Sequence, residues 1–268
     1  MIEPIVIRDP DDSRIEPYRR IRERDLAGRD GGFVIEGEVV LRAFANAGRH
    51  TLTSVLLAEN RLAKLSPILA ALPPAPVYVA PQAVLDEIVG FHIHRGVLAF
   101  GRRAPTPAAA RLLGEMGANA LVVVLFGIAN HDNMGAVFRN AAAFGAGAVL
   151  LDSTCCDPLY RKAIRVSVGA SLTVPFGKIE RDVDPIDLLT VHGFDVVALS
   201  PRGEIDLVDV KRGDRTALLL GAEGPGLSPD ILSAARGVAI PMAGVLDSLN
   251  IATSCGIALH HLAFGRGR

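Results

Sequence analysis

Three short stretches gather the side chains best able to bind or transform a ligand. The first, Gly127-Ile-Ala-Asn130-His131-Asp132-Asn133-Met134-Gly135, follows the apolar run Leu121–Phe126 and leads into a helical pattern carrying Arg139 and Asn140. Arg139 lies one helical turn past Gly135, so its guanidinium is expected to reach back over the loop. The same Asn and Asp residues would serve equally well as plain helix caps. The second stretch, Gly221-Ala222-Glu223-Gly224-Pro225-Gly226-Leu227-Ser228, follows the apolar strand ending at Leu220. Its glycines allow backbone to approach a ligand closely, but a phosphate cradle would want a lysine, and Glu223 would repel an anion. A neutral or cationic ligand fits better, and a simple turn is the alternative. The third stretch follows Ile240 and runs from Pro241 and Met242 through Gly244 and Asp247 to Ser248-Leu249-Asn250. There, either Ser248 or Asn250 caps the last helix and the other is free to face a site.

All three stretches sit where strands end, which is where open parallel sheets bind ligands. In the second part of the chain a buried strand at 121–126, a helix at 135–144 and a strand at 148–151 read as a βαβ unit. A helix at 159–168, a strand at 172–174, a helix at 187–192 and strands at 195–199, 216–220 and 238–240 continue the pattern up to a last helix at 250–264. The first part alternates similarly, with strands at 33–35, 55–57, 77–79 and 96–100 and helices ending near Gly48, Leu72 and Val89. Arg102-Arg103-Ala104-Pro105-Thr106-Pro107 reads as a linker, giving a small α/β domain over 1–104 and a larger α/β domain over 105–268. A chain starting near Pro105 keeps all three loops and is expected to fold alone.

Composition removes several classes. Half of the 268 residues are hydrophobic and 21% are charged, too apolar for disorder. The most apolar stretch, 248–265, includes Asn250, Thr253, Ser254, His260 and His261, too polar for a membrane span. No signal peptide is visible, so a cytoplasmic protein is expected. Three cysteines without a CxxC pair exclude a disulfide framework, a zinc ribbon and thioredoxin-like chemistry. A net charge of −1 argues against a histone-like binder but allows a local basic face.

Weaker signals resolve toward structure. Gly145-Ala-Gly147 lies between helix and strand, the wrong place for a dinucleotide fingerprint. His92 and His94 have no third ligand nearby, which favours a polar surface or an RNA contact over a metal, and no metal is expected. His260 and His261 read as ordinary helix residues, and Cys155-Cys156 lacks the basic partner a reactive thiol needs. Arg19, Arg20, Arg22, Arg24 and Arg29, mixed with Glu16, Glu23 and Asp25, form either a solvated helix face or a phosphate-contacting one.

At the three loops the sequence resembles the SpoU (TrmH) family of RNA ribose 2′-O-methyltransferases. The resemblance rests on Asn130-x-x-Asn133-x-Gly135-x-x-x-Arg139, on Leu219-Leu-Gly221-Ala-Glu223-Gly224-x-Gly226-Leu-Ser228, and on Ile240-Pro-Met242-x-Gly244-x-x-x-Ser248-Leu-Asn250. Arg165-Val-Ser167-Val-Gly169-Ala170 matches a fourth segment, and 33–98 is similar to the family's amino-terminal RNA-binding domain. Ala222 stands where serine is commoner, and Asp247 where glutamate is usual. The resemblance implies a parallel sheet with a deep C-terminal trefoil knot, a homodimer, S-adenosylmethionine as cofactor and RNA as substrate. Ribosomal RNA leads because of the amino-terminal domain; a tRNA enzyme or a resistance-type methylase is the alternative. By resemblance Arg139 activates the 2′-hydroxyl, with Asn133, Glu223, Ser248 and Asn250 around it. Leu220, Gly221, Ala222, Gly224, Ile240, Met242, Ser248 and Leu249 would hold the cofactor, and Arg20, Arg24, Arg29 and Arg165 would meet RNA. Since a guanidinium stays protonated, Arg139 is better read as a clamp on phosphate and developing alkoxide than as a base. A binding-only module is opposed by the intact Arg139, Ser248 and Asn250, and a nucleotide-dependent oxidoreductase by the missing glycine fingerprint.

Overall fold

A computed structural model describes residues 3–19, 21, 31–93, 96–244 and 247–265. Arg20, Arg24, Arg29 and His94 therefore lie outside the described residues. The chain forms two compact units, one of residues 1–105 with 157–173 and one of residues 106–156 with 174–268.

The first unit is built on five strands, β1 (Ile5–Val6), β2 (Gly32–Glu36), β3 (Thr51–Ala58), β4 (Val77–Ala80) and β5 (Val97–Arg102), ordered β1-β4-β3-β5-β2. β1, β4 and β3 run parallel, while β5 pairs antiparallel with both β3 and β2. Tyr18, Leu56, Leu85, Ile93 and Leu98 fill one core with 7% or less exposed, and the Tyr18 hydroxyl is satisfied by Ser54 Oγ at 2.7 Å.

Residues 157–173 depart from the expected 105–268 domain, because they pack into this first unit. Their helix Arg161–Val166 lies on β2, and their short helix Ala170–Thr173 lies on the helix Glu38–Ala47. The Arg161 guanidinium donates to buried Glu36 at 2.5 Å and stacks 5.2 Å from the Phe91 ring centroid, while Asp157 pairs with Arg103. At Gly169, with φ +85°, an added Cβ would come within 2.8 Å of Ala43 Cβ, so the two helices meet over a glycine. Removing residues 1–104 would strip partners from Asp157 and Arg161 and uncover Ile164 and Leu172, each at most 1% exposed. Each such side chain returned to water costs about 1.5–3 kcal/mol. The fragment 105–268 is therefore expected to be insoluble or to melt without a cooperative transition, contrary to the sequence expectation. A soluble fragment melting as sharply as the full chain, by circular dichroism, would refute this.

The second unit is a seven-stranded, fully parallel sheet of β6 (Ala120–Leu125), β7 (Ala148–Leu151), β8 (Phe176–Lys178), β9 (Asp195–Leu199), β10 (Ile205–Asp206), β11 (Arg215–Leu220) and β12 (Arg236–Ala239). The order is β10-β12-β9-β11-β6-β7-β8. β6 and β7 are continuous runs of Val, Leu and Ala because both sheet faces are covered. β11 and β6 pair in register from Arg215↔Ala120 to Leu220↔Leu125, which brings the ends of both strands to one level. At the other end of β11 Arg215 donates to the carbonyls of Leu113, Met116 and Gly117 and stacks 4.4 Å from the Phe194 ring centroid. The last helix, Ile251–Phe264, packs against the helix His131–Ala143. The expected strand at 172–174 is not formed. Ser171 N donates to Ser167 Oγ and Thr173 Oγ1 to Ala170 O, which keeps this stretch helical, and β8 starts only after Pro175. Among the described residues no helix is long and apolar enough to cross a membrane.

Candidate active site

The first loop is shorter than its sequence suggested, because the helix begins at His131 rather than at Gly135. Asn130 is its N-cap, accepting from Asp132 N at 2.8 Å, so one of the loop's polar residues is a plain cap. Asn133 falls in the first turn, is 7% exposed and faces inward. A second clamp steadies the loop from β7. Asp152 accepts from Gly127 N with one carboxylate oxygen and from Thr154 N and Cys155 N with the other, and Cys156 N donates to Ile128 O. Cys155 sits under this loop with its thiol directed at Leu125 O, and burial pushes that thiol up to about 12. A thiol held protonated in this way is no nucleophile.

The second loop folds back on itself. Gly226 N donates to Ala222 O at 3.0 Å, and an added Cβ on Gly221 would lie 2.2 Å from the Gly226 carbonyl carbon. The glycine at 221 thus answers to the loop's own backbone rather than to a ligand. Gly224 and Gly226 take the left-handed φ values of +87° and +70° that complete the turn. Ser228 caps the following helix, Pro229–Ala234.

The third loop supplies the residue that joins the other two. Asn250 Oδ1 accepts from Ala252 N at 2.9 Å and Thr253 N at 3.3 Å, capping the last helix. Backbone N–H groups can only donate, so this cap fixes the amide orientation and turns Nδ2 outward. Nδ2 then donates to Asn133 Oδ1 at 3.0 Å and to Glu223 Oε1 at 3.1 Å. One side chain therefore uses all of its polar groups to cap a helix and tie three loops together. Asn140, about two turns further along the first helix than Asn133, donates to Ala252 O at 2.7 Å and fastens the same two helices.

Beside this cluster opens a cavity of about 410 Å³. Leu220, Gly221, Ala222 and Gly224 form one wall, and Ile240, Met242, Ser248 and Leu249 another, so the expected cofactor residues all line it. Met242 and Leu249 are 37% and 36% exposed, apolar surface facing solvent. Sequence reading missed the end of β9, Leu199-Ser200-Pro201, and Ile251 and Ser254 on the last helix, which also line the cavity. Neither carries a motif, and only the adjacency of β9 to β11 and β12 brings the first of them in. Arg139 is absent from the lining; it is exposed on the helix face of its own chain, with no hydrogen bond or ion pair to any described residue. Arg165 lies in the first unit, exposed on the helix Arg161–Val166. His92 is bonded through Nδ1 to Asp86 at 2.6 Å.

Apolar walls, three serine hydroxyls and an amide are suited to a nucleoside-sized ligand. Among the described residues the lining holds no lysine or arginine, so no side-chain cation stands ready for a pyrophosphate. The chain is 39% identical over 265 residues to an uncharacterized tRNA/rRNA methyltransferase of Mycobacterium bovis, covering 94% of this chain and 89% of the relative. A solved structure described as an RNA 2′-O ribose methyltransferase superposes with a TM-score of 0.79 at 26% identity, over 98% of this chain and 99% of that one. The fold is also that of the AdoMet-bound SpoU methyltransferase AviRb from Streptomyces viridochromogenes, with a TM-score of 0.79 at 22% identity, covering 94% of this chain and 97% of that one. Residues 120–260, more than half of the chain, match the SpoU rRNA Methylase family. The chain belongs to that family.

Proposed function

We propose that this protein methylates a ribose 2′-hydroxyl in RNA, ribosomal RNA first, using S-adenosylmethionine held in the cavity between the second and third loops. The observation that carries the reading is the Asn133–Asn250–Glu223 cluster at the cavity's edge, which knits the three family motifs into one hydrogen-bonded unit. The relative named for tRNA and rRNA and the neighbour named for ribose 2′-O-methylation support it. A homodimer, the trefoil knot and an RNA-binding role for residues 1–104 belong to the same reading, as do phosphate contacts from Arg20, Arg24, Arg29 and Arg165.

When bound, the cofactor supplies a methyl group on a positively charged sulfur. The chain's own work is positional. Ser248 and Asn250 limit where the ribose can sit, and the apolar walls of Leu220, Ile240 and Leu249 keep water from competing with the hydroxyl. Arg139 holds the substrate phosphate and the developing negative charge on the 2′-oxygen, whose proton leaves through that phosphate or solvent.

A 2′-O-methyl group blocks attack of that oxygen on the neighbouring phosphodiester, which gives a direct test. The full chain is incubated with methyl-labelled S-adenosylmethionine and ribosomal RNA from cells lacking the gene, and the RNA is hydrolysed in alkali. Label retained in alkali-resistant dinucleotides at one site is the expected result. Label released in mononucleotides would place the methyl on a base and refute the ribose assignment; labelling of tRNA alone would refute the ribosomal one.

A further inference from the structure

The cavity wall carries one formal charge among the described residues, the carboxylate of Glu223. Its other polar side chains, Ser200, Ser248, Ser254 and Asn250, are neutral. The carboxylate is exposed but tethered, because Asn250 Nδ2 donates to its Oε1 at 3.1 Å and Asn250 is itself fixed by its two cap hydrogen bonds. A held anion thus faces a cavity whose described lining offers no cation to neutralise it.

Resting on the function proposed above, two ligands occupy this cavity in every turnover. The methyl donor carries a sulfonium, an ammonium and a carboxylate, a net charge of +1; the product left after transfer has a neutral thioether in place of the sulfonium, a net charge of zero. In shape they differ by one methyl, which apolar walls discriminate poorly. In charge they differ by a full unit. We infer that Glu223 is the residue by which the cavity prefers the sulfonium ligand to its thioether product, so that transfer of the methyl itself weakens the product's hold. Loss of that attraction is expected to cost about tenfold in affinity for the sulfonium ligand, about 1.4 kcal/mol.

Calorimetry on the full chain tests this without turnover. S-adenosylmethionine, S-adenosylhomocysteine and sinefungin, which carries an amine where the methyl donor has its methylated sulfur, are titrated into wild type and Glu223→Gln. Wild type is expected to bind both cationic ligands more tightly than the thioether. The glutamine variant should weaken both by about tenfold and leave the thioether unchanged, bringing the ratio close to one. Glutamine keeps an oxygen for Asn250, so an unchanged melting temperature will show that the loops are intact. A wild-type preference that survives in the variant would overturn the inference while leaving the proposed function standing. Failure of wild type to bind any of the three ligands would overturn the proposed function itself.

Discussion

Arg139→Lys is expected to be nearly as inactive as Arg139→Ala. The guanidinium is exposed and has no described partner in its own chain, so neither substitution removes a structural contact and the fold should be unaffected. Lysine keeps the charge but loses the planar fork that can hold a hydroxyl oxygen and a phosphate together. Removing a preorganised charge-assisted contact that operates in the transition state costs about 3 kcal/mol, about a hundredfold in turnover. Affinity for S-adenosylmethionine should stay within about twofold, because Arg139 does not line the cavity, and a twofold change is well under the 1.4 kcal/mol of a tenfold one. Single-turnover methylation with saturating RNA measures the effect. A lysine variant near the wild-type rate would mean that charge suffices and that Arg139 is no clamp.

The sequence already leaves Arg139 out of the residues expected to hold the cofactor, but it does not say what surrounds the guanidinium. Gly135 and Arg139 share a helix face in any helical register, but which neighbours that face meets depends on the packing of the helix Ile251–Phe264. The parallel strands were legible because a strand buried on both faces needs an unbroken apolar run, as in Leu121–Leu125 and Ala148–Leu151. Two-residue strands such as β1 and β10 leave no such run. The placement of 157–173 in the first unit was illegible for another reason. It depends on Arg161 meeting Glu36 and Asp157 meeting Arg103, pairs separated by 125 and 54 positions, and a single sequence carries no trace of such pairings.

The glycine loop shows the same division. Its richness in glycine is legible, whereas the left-handed φ of Gly224 and Gly226 and the reason for Gly221 are not, since Gly221 makes room for its own loop's returning backbone. Likewise, reading the third loop as a cap plus a site residue led to two candidates for two jobs. Ser248 lines the cavity as one of them, but Asn250 performs both tasks at once. Only the amide group, acceptor on one side and double donor on the other, allows that economy.

Two substitutions at Asn250 separate its tasks. Asn250→Ala removes the cap and both loop contacts; the lost cap alone should lower stability by about 1 kcal/mol, and activity should fall with it. Asn250→Asp keeps an oxygen for Ala252 N and Thr253 N, and a carboxylate is a favoured cap at the positive end of a helix. Its other oxygen, however, would stand where Nδ2 now donates, about as far from Glu223 Oε1 as the present 3.1 Å, and would face Asn133 Oδ1 as well. Two carboxylates at that distance resist ionising together, so the pair should hold a proton that restores a donor between them. The expected result is a variant that melts higher than Asn250→Ala yet methylates at least as slowly at pH 8, and that regains activity as the pH is lowered through the range where the shared proton binds. The sign follows from the acid form being the one that can donate. Thermal melts and single-turnover rates measured over a series of pH values would check it. An aspartate variant with wild-type activity at pH 8 would show that Asn250 matters to this site only as a helix cap.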